Sequence, residues 1–94
     1  KHAVEGLTKS TALEYAQQGI RVNLVAPGLI DTDMADRFAG EKGADTRAQI
    51  DSLHPVGRSG KPNEVAQAVL WLASDASSFV TGHSLNVDGG WVAQ

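Results

Sequence analysis

Residues 2–18 carry apolar and small side chains at helical spacing. Val4, Leu7, Thr8, Thr11 and Tyr15 fall three or four positions apart on one face, with Ala3, Ala12 and Ala16 as small neighbours. This pattern predicts a helix from His2 to Gln18. Gly6 sits in its first turns, where glycine costs about 1 kcal/mol relative to alanine, so another backbone is expected to pass close to it. Gly19 is placed to end the helix as a left-handed C′ residue. The period then changes. Ile20 to Ala26 begins with alternation and becomes apolar on both faces at Leu24, Val25 and Ala26, which predicts a parallel strand covered on both sides near its carboxyl end. Pro27 and Gly28 stop it.

Asp31 to Phe38 reads as a short helix with Asp31 or Thr32 as N-cap. A mobile break at residues 39–44, around Gly40 and Gly43, leads to a second short helix from Thr46 to Leu53. That helix ends before His54-Pro55, because a residue preceding proline disfavours the α region. Pro62 at the first helical position and Glu64 in the first turn mark another helix start. Its predicted face is Val65, Ala66, Val69, Leu72 and Ala73, and it ends near Ser74-Asp75. Ser77 to Thr81 is a turn, His83 to Val87 a last strand, and Asp88-Gly89-Gly90 its exit. Two parallel strands joined by a helical crossover make one right-handed βαβ unit. Two strands alone do not form a stable open sheet. The expected architecture is therefore α/β, the C-terminal half of a doubly wound parallel-sheet Rossmann-type domain, with crossover helices and a two-helix lid. No internal repeat or domain boundary interrupts residues 1–94.

Composition adds exclusions. Ninety-four residues allow at most one small domain, burying about 60–65% of its unfolded surface. The chain is 41% hydrophobic and 20% charged, with a net charge of −3 and no cluster of Lys or Arg, so it carries no electrostatic footprint for nucleic acid or an anionic membrane. It has no cysteine, which excludes disulfides and cysteine-based metal sites and is compatible with a reducing cytoplasm. The longest apolar run, Ala68 to Ala73, is too short to cross a bilayer. The first residue is Lys1, no signal-peptide pattern follows, and the unpartnered strand favours a piece of something longer.

Function is expected at the carboxyl end of the first strand, because ligands of open α/β sheets bind in the crevice outside the strand ends. Gly28 lets the backbone approach a flat ligand. Thr32 can present a hydroxyl and neighbouring N–H groups to an amide or phosphate. A simple strand-to-helix turn with an N-cap explains the same residues equally well. Gly57 to Lys61 is not a phosphate loop, since Pro55 and Pro62 stand where a Walker motif needs Gly and Ser or Thr. Asp31, Asp33 and Asp36 are explained as helix N-terminal carboxylates rather than metal ligands. His2, His54 and His83 are widely spaced and read as surface or packing residues. Trp71, Phe79 and Trp91 are either packed or part of an oligomer interface.

Four ordered segments carry a family resemblance. The run Gly19 to Gly28 with Thr32 resembles the sixth strand and cofactor loop of short-chain dehydrogenases/reductases. Lys1 with Gly6-Leu7-Thr8 resembles the end of that family's Tyr-x-x-x-Lys helix. Arg58-x-Gly60-x-Pro62-x-Glu64-Val65-Ala66 resembles the start of its penultimate helix, and Thr81-Gly82 through Asp88-Gly89-Gly90 its last strand and exit. Each motif alone is weak; together, in order, they are specific.

The resemblance implies an NAD(P)-dependent oxidoreductase that interconverts an alcohol and a carbonyl by hydride transfer. NAD and NADP are not distinguished, because the discriminating residue follows an upstream strand. Lys1 matches the lysine that bonds the nicotinamide ribose and lowers the pKa of the general acid/base tyrosine. That tyrosine belongs four residues earlier, one helical turn away. Tyr15 does not replace it, since residue 19 is Gly. Pro27, Gly28, the backbone of Ile30 and the hydroxyl of Thr32 match the groups that hold the nicotinamide. Leu29, Met34, Arg37, Phe38 and Ile50 would border the substrate. The family's serine, asparagine and glycine-rich turn lie upstream, so residues 1–94 alone are expected to be inert. Both 3-oxoacyl reduction and sugar or secondary-alcohol oxidation stay open. Family members pair through the first helix and often form tetramers through the last helix and strand, so a homodimer or homotetramer is expected. The alternatives are a non-catalytic relative serving as a nucleotide-binding or oligomer-partner subunit, and an unrelated small α/β binding module.

Overall fold

A computed structural model describes residues 1–41 and 44–94. Its first helix, α1, runs from His2 to Tyr15 and tightens into a 3₁₀ turn at Ala16–Gln18, so the expected helical span is filled. Gly19 follows at φ 77° and donates its amide to the Ala16 carbonyl, a left-handed ending that glycine adopts without steric cost. Thr8 and Ala12 are the residues α1 buries. Gly6 meets no close neighbour here: a β-carbon built on it has no described atom within 4 Å. The backbone expected against it is not found among the described residues.

Strand β1 covers Leu24–Pro27 and β2 covers Ser84–Val87, paired in parallel with Leu24 opposite Ser84 and Pro27 opposite Val87. The amides of Leu24 and Gly28 both point at β2, donating to His83 and Val87 carbonyls at 2.8 and 3.0 Å. By alternation the nitrogen of Pro27 faces away from β2, where its missing N–H costs this ladder nothing.

Both strands are shorter than their sequence predicts. Beside Ile20–Asn23 the partner chain is a turn, which offers no regular ladder. Side chains take over its work there. Arg21 donates to the Ser74 carbonyl at 3.1 Å, the Ser77 hydroxyl at 3.1 Å and the Val80 carbonyl at 3.2 Å. Asn23 donates to the Val80 carbonyl and accepts from the His83 amide, both at 3.0 Å. Residues 20–23 and His83 therefore brace the loop after the crossover helix rather than extend the sheet.

Among the described residues, three α-helices and a 3₁₀ turn at Asp75–Ser77 lie between the strands. Helix α2 spans Asp33–Ala39 with Thr32 as its N-cap, α3 spans Asp45–Ser52, and α4 spans Pro62–Ala73. The expected break at residues 39–44 falls partly on Lys42 and Gly43, which lie outside the described residues. Arg47 of α3 ties α3 to α2. It is 1% exposed and donates to Asp36 and Asp31 at 3.1 Å each, to the Gly40 carbonyl at 3.2 Å and to Ser59 at 3.1 Å. Burial pushes its guanidinium pKa down. The bonds to Asp31 and Asp36 and the charges of Asp51 and Asp31 outweigh that and hold it above its ordinary value.

Helix α4 starts as its sequence predicts, with Pro62 first and Glu64 accepting from the Lys61 amide at 2.9 Å. Its apolar face is only partly covered: Leu72 is buried, but Val69 is 50% exposed. A sheet of two strands is too narrow to cover the whole stripe. Phe79 is fully exposed and Trp71 and Trp91 partly so, which leaves Phe79 without the packing expected of a large aromatic in this chain.

Candidate functional site

The carboxyl ends of β1 and β2 part at Gly28 and Asp88, and a cleft of about 390 Å³ opens beyond them. Its walls bring together residues far apart in the chain: Lys1, Ala26 to Leu29, Ile50, Asn86, Asp88, Trp91 and Val92. Lys1 is there because α1 packs on β1 with its N-terminus at the strand's carboxyl end. Ile50 comes from α3. Trp91 and Val92 come from the short turn after β2, which Asp88 folds by accepting from the Gly90 and Val92 amides at 3.1 Å each.

Gly28 stands at the tightest point. A β-carbon there would lie 3.0 Å from the Asp88 Cα and 3.1 Å from both the Asp88 Cβ and His54 Nε2, so any side chain would push the strand ends apart. His54 is 2% exposed. Its Nε2 accepts from the Leu29 amide at 3.3 Å, its Nδ1 lies 3.3 Å from the Ile50 carbonyl, and its ring meets Trp91 edge-on with centroids 4.8 Å apart.

Five of the residues singled out from sequence line this cleft: Lys1, Pro27, Gly28, Leu29 and Ile50. The others stand elsewhere. Ile30 pairs by a parallel bridge with Gly60, and its side chain borders a smaller hollow of about 140 Å³ with Val56, Arg58 and Val87. Thr32 is exposed, and its hydroxyl accepts from the Ala35 amide and donates to the Ile30 carbonyl, both at 3.3 Å. Met34, Arg37 and Phe38 are exposed on α2 outside the lining, Phe38 by 81%.

His54, Asp88 and Trp91 were not legible as parts of the cleft; the one signal was that His54-Pro55 ends a helix. Arg47 was foreshadowed only by Asp51 four residues on. Asp31, Asp36 and Asp51 converge on that guanidinium at 3.1, 3.1 and 3.5 Å. No helix among the described residues is long and apolar enough to cross a membrane.

Parallel strands joined by a helical crossover, with a cleft at their carboxyl ends, define a Rossmann-type α/β fold. Residues 1–92 match the family described as Enoyl-(Acyl carrier protein) reductase. The chain belongs to the short-chain dehydrogenase/reductase family. It is 50% identical over 93 residues to 2,5-dichloro-2,5-cyclohexadiene-1,4-diol dehydrogenase of Sphingobium indicum, covering 99% of this chain and 37% of that protein. Its fold superposes on a short chain dehydrogenase family protein of Francisella tularensis with a TM-score of 0.91 at 39% identity, covering 100% of this chain and 42% of the other. A structure from Agrobacterium tumefaciens with bound NADP matches with a TM-score of 0.90 at 42% identity, over 99% of this chain and 37% of that one. The chain thus spans well under half the length of these relatives.

Proposed function

We propose that the protein containing these residues is an NAD(P)-dependent oxidoreductase interconverting an alcohol and a carbonyl. The observation that carries this reading is that Lys1 and the Pro27-Gly28-Leu29 loop, 26 residues or more apart, line one cleft at the strand ends. The residues fit a nicotinamide nucleotide. Gly28 leaves the loop backbone bare where a flat ring would lie, and Lys1 brings a cation to the same wall. When bound, the nucleotide supplies or accepts the hydride, which no side chain can do.

The chain's own part is placement and charge. Lys1 would donate to a ribose hydroxyl and, as the family resemblance implies, would stabilise the phenolate of a general acid/base tyrosine one helical turn before it. Pro27 and Gly28 would lie against one face of the ring. The Ile30 backbone and the Thr32 hydroxyl, which stand beyond the lining, are the groups that the family resemblance assigns to its carboxamide. Leu29 and Ile50 would border the substrate from within the cleft; Met34, Arg37 and Phe38 are the further substrate contacts that the family resemblance implies, although they stand on α2 outside this lining. Leu29, Ile50, Trp91 and Val92 give the substrate end an apolar lining, which suits a small alcohol or ketone. We place the protein in the cytoplasm, in line with its lack of cysteine. It assembles as a homodimer or homotetramer. Val4, Leu7 and Leu13 of α1 are at least 50% exposed and Gly6 is open to close approach, which supports α1 as one contact between copies.

The test is titration of the complete protein with NADH and NADPH, followed by turnover with a panel of cyclic and linear alcohols and ketones. Lys1→Ala is expected to lower kcat/KM by about a hundredfold or more. Binding of neither nucleotide would sink the reading.

A further inference from the structure

We infer that His54 is a positioning residue for the cofactor loop: as a neutral imidazole it locks the Leu29 amide, and with it the Pro27-Gly28-Leu29 backbone, against the lid and the C-terminal turn. The inference rests on the oxidoreductase reading of the cleft and deepens it.

The two partners of the ring define its proton state. A carbonyl oxygen only accepts, so at the Ile50 carbonyl, 3.3 Å away, Nδ1 must donate. A backbone amide only donates, so Nε2, 3.3 Å from the Leu29 nitrogen, must accept. Both demands are met by the same neutral tautomer, with its proton on Nδ1. An imidazolium would set one N–H against another at Leu29, in a site where the side chain is 2% exposed. That bond would break, and a charge would be buried.

The ring also holds its neighbours by shape. Nε2 fills the space beside Gly28, its Cβ and Cδ2 lie 3.6 and 3.7 Å from a β-carbon position on Gly89, and its edge meets Trp91. One side chain thus joins three separate walls of the cleft: the loop after β1, the end of α3 and the turn after β2. The charged groups on these elements are otherwise engaged. Asp51 faces Arg47 at 3.5 Å, the Asp88 carboxylate accepts from the Gly90 and Val92 amides, and Lys1 stands on the cleft wall. Neither carboxylate bonds the ring.

The experiment uses the complete protein, with NADH and NADPH as probes and nucleotide fluorescence as the readout of Kd. His54→Phe keeps a ring but cannot accept from Leu29, and is expected to weaken nucleotide binding about tenfold. His54→Gln places an amide oxygen near the position of Nε2 and is expected to recover most of that loss. If His54→Phe does not fold, the ¹⁵N shifts of the wild-type imidazole still decide, because they report the tautomer, together with exchange of the Leu29 amide, which its bond to Nε2 should slow relative to His54→Ala. An Nε2-protonated tautomer, an equally fast-exchanging Leu29 amide with and without the ring, or equal binding by a folded His54→Phe would overturn the inference. Failure of the wild type to bind either nucleotide would overturn the oxidoreductase reading and this inference with it.

Discussion

A β-carbon on Gly28 would stand 3.0 Å from the Cα of Asp88, so the chain just past β1 has no room for a side chain beside the turn after β2. The nearest atom is backbone, which cannot swing aside as a flexible side chain can. Gly28→Ala is therefore expected to lower stability by about 1–3 kcal/mol through overpacking. It should weaken nucleotide binding as well, because the displaced loop is the cleft wall. Thermal unfolding and nucleotide titration of the complete protein check both, and an unchanged Tm would contradict the packing described.

Arg47 is the other tight point. Its charge is buried and shared among Asp31, Asp36 and Asp51. Arg47→Met leaves three part-exposed carboxylates facing one another around a methionine, and losing hydrogen bonds to a charged group that water can only partly replace costs about 1.5–3 kcal/mol. The loss should appear first as faster amide exchange in α2 and α3, since the guanidinium is what ties them together. Arg47→Lys is not expected to restore protection, because an ammonium cannot span this set of acceptors as the planar fork does.

Thr32 has two separable roles to test. Its hydroxyl caps α2 by accepting from the Ala35 amide, and loss of such a cap costs about 1 kcal/mol. Thr32→Ser keeps the oxygen and should keep both stability and nucleotide affinity. Thr32→Asn retains capping ability while altering the group offered to a ligand. Stability near wild type with weakened nucleotide binding in Thr32→Asn would mark contact with the cofactor. Unchanged binding would reduce Thr32 to a cap.

The Arg58–Glu64 pair gives a pH signature. Arg58 holds both Glu64 oxygens, at 2.8 and 3.0 Å. With the Lys61 amide it lowers the Glu64 pKa from 4.5 to about 2. A depressed carboxylate contributes stability that is present above its unfolded value and is lost as pH falls through the folded one. The gap in Tm between wild type and Glu64→Gln should thus be constant above about pH 5 and narrow as the pH falls from about 4.5 towards 2. The pair is solvent-exposed, so the effect should be small and should shrink in salt. A gap that widens on acidification would contradict the assignment.

Much of this fold was legible because its signals are local. The period of α1, the left-handed glycine at its end, Pro62 and Glu64 at the start of α4 and the Pro27-Gly28 stop each depend on residues within one or two turns of chain. Strand limits were less legible, because a strand ends where its partner turns away. The partner of Ile20–Asn23 is a loop some 60 residues later, held by Arg21 and Asn23.

The cleft divides along the same line. Order of residues along the chain was enough to assign the family and to nominate Lys1, Pro27 and Gly28, since those motifs are contiguous runs; of the remaining nominations Leu29 and Ile50 line the cleft, whereas Ile30, Thr32, Met34, Arg37 and Phe38 do not. The roles of His54, Asp88, Trp91 and Arg47 exist only through contacts spanning many residues. A histidine that accepts from Leu29, bonds Ile50 and packs on Trp91 has no periodic or spacing signature, and a buried arginine is distinguished from a surface one only by the carboxylates that folding gathers around it. Backbone preference is written in neighbouring residues. Packing and the proton state of a buried ring are set by what the completed chain brings within a few ångströms.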